Sequence, residues 1–193
     1  GSPVNRARLI DSLIALVRLR DGDGVNIDFE AVPASQRANL STFLRELAGR
    51  FRGAVPGGRI SIALPAVDWS DAFDVAAMQG SVDLFIIMGY DFHWSGAPNA
   101  GPVAPRNSGK IWSPYDVTRS VNSYLAKGIA PEKLCLGVPY YGYEWPTADS
   151  SIGAATRGAG TAVVYSTAKV RAAERGRRWE PQSATPYYTY RVD

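Results

Sequence analysis

The feature that most constrains the fold is a regular alternation of apolar runs with amphipathic helical stretches. Four segments are predicted to be β-strands, at residues 25–30, 59–65, 82–89 and 134–140. A helical pattern fills each of the three intervals between them. Because a hairpin cannot join two parallel strands, helices between successive strands indicate parallel strands connected by crossovers. The predicted class is therefore α/β.

The helices are predicted from apolar spacing and from start signals. An N-terminal helix presents one apolar face, made of Ile10, Leu13, Ile14, Leu16 and Val17. The next helix, residues 36–51, follows Pro33 and Ser35 and places Leu40, Phe43, Leu44 and Leu47 on one side. A short helical segment is predicted at residues 72–78. Ser113-Pro114 predicts an N-cap and a first turn for a helix over residues 115–127.

The pattern changes after residue 141. A loop rich in Gly, Ala, Ser and Thr leads to a short helix at residues 168–175, and then Trp179 and residues 187–190 flank a turn. These features predict a small α+β hairpin inserted after the fourth strand.

Composition excludes several classes of function. The 193 residues are 46% hydrophobic and 20% charged, so the chain can bury a core. No apolar run approaches the roughly 20 residues of a membrane span, and no signal-type segment opens the chain. The single cysteine, Cys135, is predicted to be a buried thiol, and with the single histidine, His93, it predicts no disulfide, metal site or cofactor. The net charge is +3, but no nucleic-acid-binding motif accompanies the basic excess, so the sequence predicts no nucleic-acid partner.

The first strand carries the most informative side chains. On a β-strand Asn26, Asp28 and Glu30 share one face, while Val25, Ile27 and Phe29 share the other. Carboxyl groups two residues apart can come into contact, and such a pair suits general acid/base catalysis. An ordinary strand with acidic residues at its solvent end is the alternative for any Asp-x-Glu taken alone. Asp23-Gly24 before the strand, and three inward polar residues, favour a catalytic strand.

Residues 23–30, DGVNIDFE, resemble the Asp-Gly-x-Asp-x-Asp-x-Glu signature of glycoside hydrolase family 18, the chitinases and related N-acetylglucosaminidases. Asn26 departs from the aspartate that is frequent there. Three further segments resemble family strands in the family's order: SIALPA at 61–66, MGYD at 88–91 and GVPYYG at 137–142. The YEW continuation at 143–145 is closer to bacterial members related to spore-cortex and cell-wall hydrolases.

The resemblance implies a retaining, substrate-assisted mechanism. Glu30 is then the acid/base, Asp28 holds the acetamido N–H, and Tyr90 orients the acetamido oxygen. Asp23 and Gly24 belong to the structural motif. The implied substrate contacts are Asn26, Met88, Asp91, Tyr141, Trp94 and Trp145, the two tryptophans as platforms for sugar rings. For each tryptophan, packing within its own loop is an equal alternative.

The resemblance also implies a (β/α)8 TIM-barrel type, of which about the fourth to seventh βα units are present, since eight units need about 250 residues. Residues 1–2 are interpreted as an expression scar, 3–145 as a partial catalytic barrel region and 146–193 as the insertion. Open half-barrel edges predict self-association, and missing subsites predict weak or absent activity of the isolated chain.

The implied function is hydrolysis of β-1,4-linked N-acetylglucosamine polymers, either chitin or peptidoglycan glycan. The implied partner is such a polysaccharide or oligosaccharide, with no nucleic acid and no membrane, and the implied location is extracellular or the cell envelope of a bacterium. A non-catalytic chitinase-like binding protein, or an inactive piece of a larger hydrolase, is the alternative. An unrelated α/β domain would require four accidental motif matches.

Overall fold

A computed structural model describes residues 1–191. Its strands are β1 (Gly24–Ile27), β2 (Arg59–Pro65), β3 (Leu84–Met88), β4 (Leu134–Gly137), β5 (Tyr141–Glu144), β6 (Thr161–Val164), β7 (Arg178–Glu180) and β8 (Thr185–Tyr187). Its helices are α1 (Pro3–Leu19), α2 (Arg37–Ala54), α3 (Val75–Met78), α4 (Val117–Ala126) and α5 (Tyr165–Arg175). No helix within residues 1–191 is long and apolar enough to cross a membrane.

The first four strands form one sheet in the order β1-β2-β3-β4. β1 pairs parallel with β2, and β2 pairs parallel with β3, with Ile62 opposite Phe85. Helices alternate with these strands along the chain, as parallel crossovers require. The predicted α/β class with a partial (β/α) barrel is therefore confirmed, and β2 has the predicted bounds.

The chain divides into two compact units. The first comprises residues 1–88 and 122–136, and the second comprises residues 89–121 and 137–191 of the described chain. In the first unit the helix-facing side chains of the central strands are buried, among them Ile60, Ile62, Leu64, Phe85 and Ile87. This side of the sheet is the core of the unit.

Helices α1 and α2 pack together in the first unit. Leu40, Phe43, Leu44 and Leu47 of α2 are buried as their spacing predicts, and so are Ile10 and Val17 of α1. The Arg6 guanidinium donates two hydrogen bonds of 2.9 Å to the Glu46 carboxylate, a bidentate pair that fixes the first turn of α1 against α2.

Several local expectations were wrong. Strand β4 ends at Gly137, not at residue 140, since Pro139 has no backbone N–H to continue the pairing. Strand β1 ends at Ile27, not at Glu30, because its register with β2 ends at the Ile27–Ile62 pair. Cys135 is exposed, not buried, because side chains alternate along β4 and Cys135 points away from the face that Leu134 and Leu136 share. Helix α4 begins at Val117, and its N-cap is Asp116 instead of Ser113.

Asp116 takes the cap position because its carboxylate meets two backbone donors. Its Oδ1 accepts from the Arg119 N–H at 2.7 Å, the usual bond of an aspartate N-cap. Its Oδ2 accepts from the Ser108 N–H at 2.9 Å, which ties the preceding loop to the helix start. Asp116 is buried, so both bonds are shielded from water.

The second unit contains two antiparallel pairs. Strands β7 and β8 form the small hairpin that the sequence predicts, with Trp179 opposite Pro186. Strands β5 and β6 form a second pair, with Tyr141 opposite Val164. Sequence reasoning missed this pair because it assigned the residues after 141 to a loop, and β6 lies 17 residues along the chain from the end of β5.

Gly24 is required by the close approach of β1 to β2. A Cβ at position 24 would lie 2.2 Å from the Arg59 carbonyl oxygen, a backbone atom that cannot move aside cheaply. We expect Gly24→Ala to lower the free energy of unfolding by about 2 kcal/mol or more, as overpacking of a well-packed element does. Urea unfolding measures this loss. Gly53→Ala, where a Cβ on α2 would have no heavy atom within 4 Å, is the control, and an equal loss in both variants would contradict the assignment.

Candidate active site

The predicted site residues fall into two groups, one in each unit. The first group is the acidic segment, residues 23–30, at and beyond β1. The Asp23 carbonyl accepts from the Arg59 N–H at 3.0 Å, so the motif's first residue pins the start of β1 to β2. Asn26 follows on the strand, and its Oδ1 accepts from the Ser61 hydroxyl at 2.9 Å. This bond leaves the Asn26 amino group as the donor for a neighbour.

Asp28 and Glu30 follow the carboxyl end of β1. Both side chains are exposed, and within residues 1–191 neither makes a hydrogen bond or an ion pair with another residue. Ala31, directly after Glu30, has φ 50°, a left-handed conformation that costs an alanine about 1 to 2 kcal/mol. Strain of this kind concentrates at functional sites. The turn at Ala31 ends the extended course of the segment immediately after Glu30, its last carboxylate.

An open cleft of about 520 Å³ borders the acidic segment in the same unit. Arg6 and Leu9 of α1 and Phe43 of α2 line it together with Asp28 and Glu30. Met88, the remaining candidate in this unit, is half-buried at the end of β3, opposite Pro65 of β2. Asn26, Asp28, Glu30 and Met88 thus all lie at strands or strand ends of the parallel sheet.

The second group is an aromatic cluster around Asp91. The Asp91 Oδ1 accepts from the Tyr141 hydroxyl at 2.7 Å and from the Tyr143 hydroxyl at 3.3 Å. The Tyr90 and Tyr141 rings meet edge-on with centroids 6.2 Å apart. Asp91 itself has φ 58°, which aspartate tolerates better than most residues. The structure therefore brings together three predicted residues of the second unit, Tyr90, Asp91 and Tyr141.

The surroundings of Tyr141 and Tyr143 raise the pKa of both hydroxyls. Burial, followed by the hydrogen bond to Asp91, raises the pKa of Tyr141 well above its usual value. Burial and the Asp91 charge also raise the pKa of Tyr143. Both hydroxyls are consequently donors at neutral and moderately alkaline pH.

Tyr143 belongs to the aromatic cluster but is not among the residues predicted from the sequence. It lies two residues after Tyr141 on β5, so the two side chains share a face, and their rings meet edge-on at 5.7 Å. The signal was the i, i+2 spacing of two tyrosines, which has this meaning only once residues 141–144 are recognised as a strand.

The two hydrogen bonds to Asp91 differ in length, so removing each of them should lower the free energy of unfolding by a different amount. We expect Tyr141→Phe to lower the free energy of unfolding by about 1 kcal/mol and Tyr143→Phe by about half as much, since the longer bond is the weaker one. Each variant is the other's matched control in urea unfolding. A larger loss for Tyr143→Phe would contradict this ranking.

Two of the candidate tryptophans differ in their surroundings. The Trp145 Nε1 donates to the Ser95 carbonyl at 3.2 Å, and Gly160 packs so closely on its ring that a Cβ there would lie 2.5 Å away. Trp94 folds over Gly96 but stays 57% exposed. These contacts favour the packing alternative for Trp145 and leave surface on Trp94 open to a ligand.

A buried carboxylate in the second unit was also missed. Glu180, only 4% exposed, accepts from the Trp112 Nε1 at 2.7 Å and from the Ser183 and Gln182 N–H groups. The Trp112 ring meets the His93 ring edge-on at 5.4 Å, and His93 Nδ1 lies 3.0 Å from the Pro102 carbonyl. Burial lowers the pKa of His93, so the imidazole is neutral at pH 7. This chain of contacts joins the β7–β8 hairpin to the loop that follows Asp91.

No group of three or more His, Cys, Asp or Glu side chains among residues 1–191 is arranged to hold a metal ion. Parallel strands alternating with helices, with two exposed carboxylates beyond the carboxyl end of one strand, define a partial (β/α) barrel with candidate acid/base groups at the end where barrel sites form.

The chain belongs to glycosyl hydrolases family 18, whose family model matches residues 1–192. YdhD of Bacillus subtilis (strain 168), named as a sporulation-specific glycosylase, is 33% identical over 150 residues, which cover 75% of this chain and 33% of that protein. A class V chitinase of Arabidopsis thaliana is 30% identical over 162 residues, covering 75% of this chain and 40% of the chitinase.

A family 18 chitinase from Cycas revoluta, crystallised as a double mutant with (GlcNAc)4, has a similar fold. Its TM-score is 0.86 at 26% identity, with 98% of this chain and 60% of that chain covered. The chain thus spans about a third to two fifths of the two curated relatives.

Proposed function

We propose that this chain is part of the catalytic region of a glycosidase that cleaves β-1,4-linked N-acetylglucosamine polymers, chitin or peptidoglycan glycan. The observation that carries the proposal is the pair of exposed carboxylates, Asp28 and Glu30, directly after a parallel strand in a chain of family 18. Active sites of (β/α) barrels form at this carboxyl end of the strands.

The acidic segment supplies the acid/base chemistry in the proposed mechanism. Glu30 donates a proton to the glycosidic oxygen while the acetamido oxygen of the same sugar attacks the anomeric carbon. The bond to the leaving sugar breaks and an oxazolinium ion forms, with retention of configuration after the second step. Glu30 then takes a proton from a water molecule. The oxygen of this water attacks the anomeric carbon and opens the oxazolinium ring. Asp28 accepts the acetamido N–H and balances the positive charge, and the Asn26 amino group donates to Asp28.

The aromatic cluster supplies groups that orient the substrate. We assign Tyr90 as the donor to the acetamido oxygen, with Asp91 and Met88 lining the same subsite and Tyr141 forming its wall. The bond from Tyr141 to Asp91 supports this assignment because it holds the aspartate in one orientation. Trp94 and Trp145 remain proposed sugar platforms, and the exposure of Trp94 makes it the better of the two.

The names of related proteins agree with this substrate class. A class V chitinase and a glycosylase named for sporulation are among the relatives, and a chitinase of similar fold was crystallised with (GlcNAc)4. We therefore propose action on an extracellular or cell-envelope polymer. Because the chain spans only part of these proteins, we expect the isolated chain to be a weak catalyst.

A comparison of two tetrasaccharides tests the proposed function. The chain is incubated to the end point with (GlcNAc)4 and with cellotetraose, which has hydroxyl groups where (GlcNAc)4 has acetamido groups, and products are detected by mass spectrometry. Cleavage of (GlcNAc)4 alone supports the proposal. Binding of (GlcNAc)4 without cleavage would favour the non-catalytic alternative, and equal cleavage of both sugars, or neither binding nor cleavage, would contradict the mechanism.

A further inference from the structure

The insertion carries an exposed aromatic side chain beside an arginine. Trp179 of β7 is 53% exposed, and the Arg177 guanidinium carbon lies 6.0 Å from the centre of its ring. On β7, alternate side chains point to opposite faces, so the buried Glu180 directs Trp179 to the outer face. Pro186, the exposed cross-strand partner of Trp179, lies on the same face. We call Arg177, Trp179 and Pro186 the cation–aromatic patch.

The backbone holds this patch in place. Helix α5 ends at Gly176, whose φ of 79° is the left-handed conformation of a helix C-cap, and Arg177 follows it directly. Strand β7 is paired with β8 and anchored from its inner face by the hydrogen bonds to Glu180. An aromatic ring on a fixed hairpin loses little conformational freedom on binding, which favours it as a contact surface.

The stretch of chain that carries the patch is rich in basic side chains. Residues 165–180 contain five basic side chains and two acidic ones, and one of the two acids, Glu180, is buried and satisfied internally. Of the five basic side chains, Arg171 and Arg175 form ion pairs with Glu144. The other three are exposed: Lys169, Arg177 and Arg178. Arg177 lies beside Trp179 and forms no ion pair with a carboxylate among the described residues, so its guanidinium favours an anionic partner for the patch.

We infer that the cation–aromatic patch binds a carboxylate-bearing glycan, in which the face of a sugar ring stacks on Trp179 and a carboxylate meets the Arg177 guanidinium. This inference rests on the proposed function and deepens it. Of the two proposed polymers, chitin is neutral, whereas the glycan strand of peptidoglycan carries stem peptides with free carboxylates; its lactyl carboxyl groups are consumed in the amide bonds to those peptides. The cation–aromatic patch therefore binds peptidoglycan in preference to chitin.

Sedimentation binding tests this choice with two insoluble polymers. Peptidoglycan freed of teichoic acid and chitin particles are titrated with the chain in the Glu30→Gln background, so that hydrolysis cannot remove binding sites. We expect Trp179→Ala to weaken binding to peptidoglycan about tenfold, as loss of a central aromatic contact does, and to leave chitin binding unchanged. Arg177→Lys keeps the charge but loses the planar fork, so we expect an intermediate loss.

Arg8→Lys, the same exchange at an exposed arginine of α1 in the first unit, is the matched control for Arg177→Lys and is expected to leave binding to both polymers unchanged. Unchanged peptidoglycan binding of Trp179→Ala would overturn the inference. An equal loss on chitin would also overturn it, because the patch would then bind neutral sugar, and so would binding that requires teichoic acid phosphate. Thermal unfolding of each variant confirms folding. Failure of the proposed function would show as binding of (GlcNAc)4 without cleavage by the unmodified chain, a result that leaves these binding measurements valid.

Discussion

Replacing Glu30 by glutamine is expected to lower cleavage of (GlcNAc)4 at least about 100-fold, the lower end of what a positioned general acid contributes. Glutamine has nearly the same shape but cannot donate a proton to the glycosidic oxygen or take one from water. The exposed position of Glu30 means that the substitution should not disturb the fold. The rate is measured as released product over long incubations, because the isolated chain is expected to be a weak catalyst.

Glu132→Gln is the matched control for this experiment. Glu132 is an exposed glutamate of the first unit, in a single turn that precedes β4. We expect its substitution to leave the rate within about twofold of the unmodified chain, as for an exposed side chain outside the site. Retention of full activity by Glu30→Gln would rule Glu30 out as the acid/base.

The largest expected effect on stability comes from Glu180. Glu180→Gln replaces an acceptor-only group by one whose amino end faces N–H and O–H donors, among them Trp112 and Ser183. Leaving buried donors unsatisfied costs about 2 to 4 kcal/mol. For a chain of this size that lowers Tm by roughly 5 to 10 °C, which thermal unfolding at pH 7 measures.

The same residue predicts a pH dependence. Burial alone raises the pKa of Glu180, but the hydrogen bonds from Ser183 and Trp112 outweigh it and lower the pKa from 4.5 to about 2. A lowered pKa means that the stabilisation is fully present above pH 4.5 and is lost as the pH falls towards 2. The difference in Tm between the unmodified chain and Glu180→Gln should therefore narrow below pH 4.5. Glu174→Gln, at an exposed site on α5, is the control, and a pH-independent difference would contradict this assignment.

The sequence predicted the parallel sheet well because each of its strands is marked by apolar residues and turn residues that are neighbours along the chain. Strand β2 is a mostly apolar segment that begins directly after Pro-Gly-Gly and ends at Pro65, and its bounds were predicted without error. The C-terminal end of β1 and the start of α4 were not predicted correctly, since each depends on a contact with another segment. Strand β1 ends where its pairing with β2 ends, and Asp116 is the N-cap because it also accepts a hydrogen bond from the Ser108 N–H. The exposure of Cys135 depends in the same way on what covers each face of β4.

The candidate site was predictable where a motif encodes it. Asp28, Glu30, Tyr90 and Asp91 lie in motif segments, whereas Tyr143 acts through a hydrogen bond that only the β5 strand reveals. The bond from Trp112 to Glu180 joins residues 68 positions apart. No periodicity marks such a long-range pair, so the link between the hairpin and the loop after Asp91 required the structure.

The participation of the substrate's own acetamido group is the central claim, and one rate comparison tests it most directly. The chain is assayed with a fluorogenic chitobioside and with its 2-trifluoroacetamido analogue, in which fluorine withdraws electrons from the carbonyl oxygen that attacks the anomeric carbon. Substrate-assisted hydrolysis predicts that the analogue is cleaved at least about tenfold more slowly. Equal rates for the two compounds would contradict the mechanism assigned to Asp28 and Glu30.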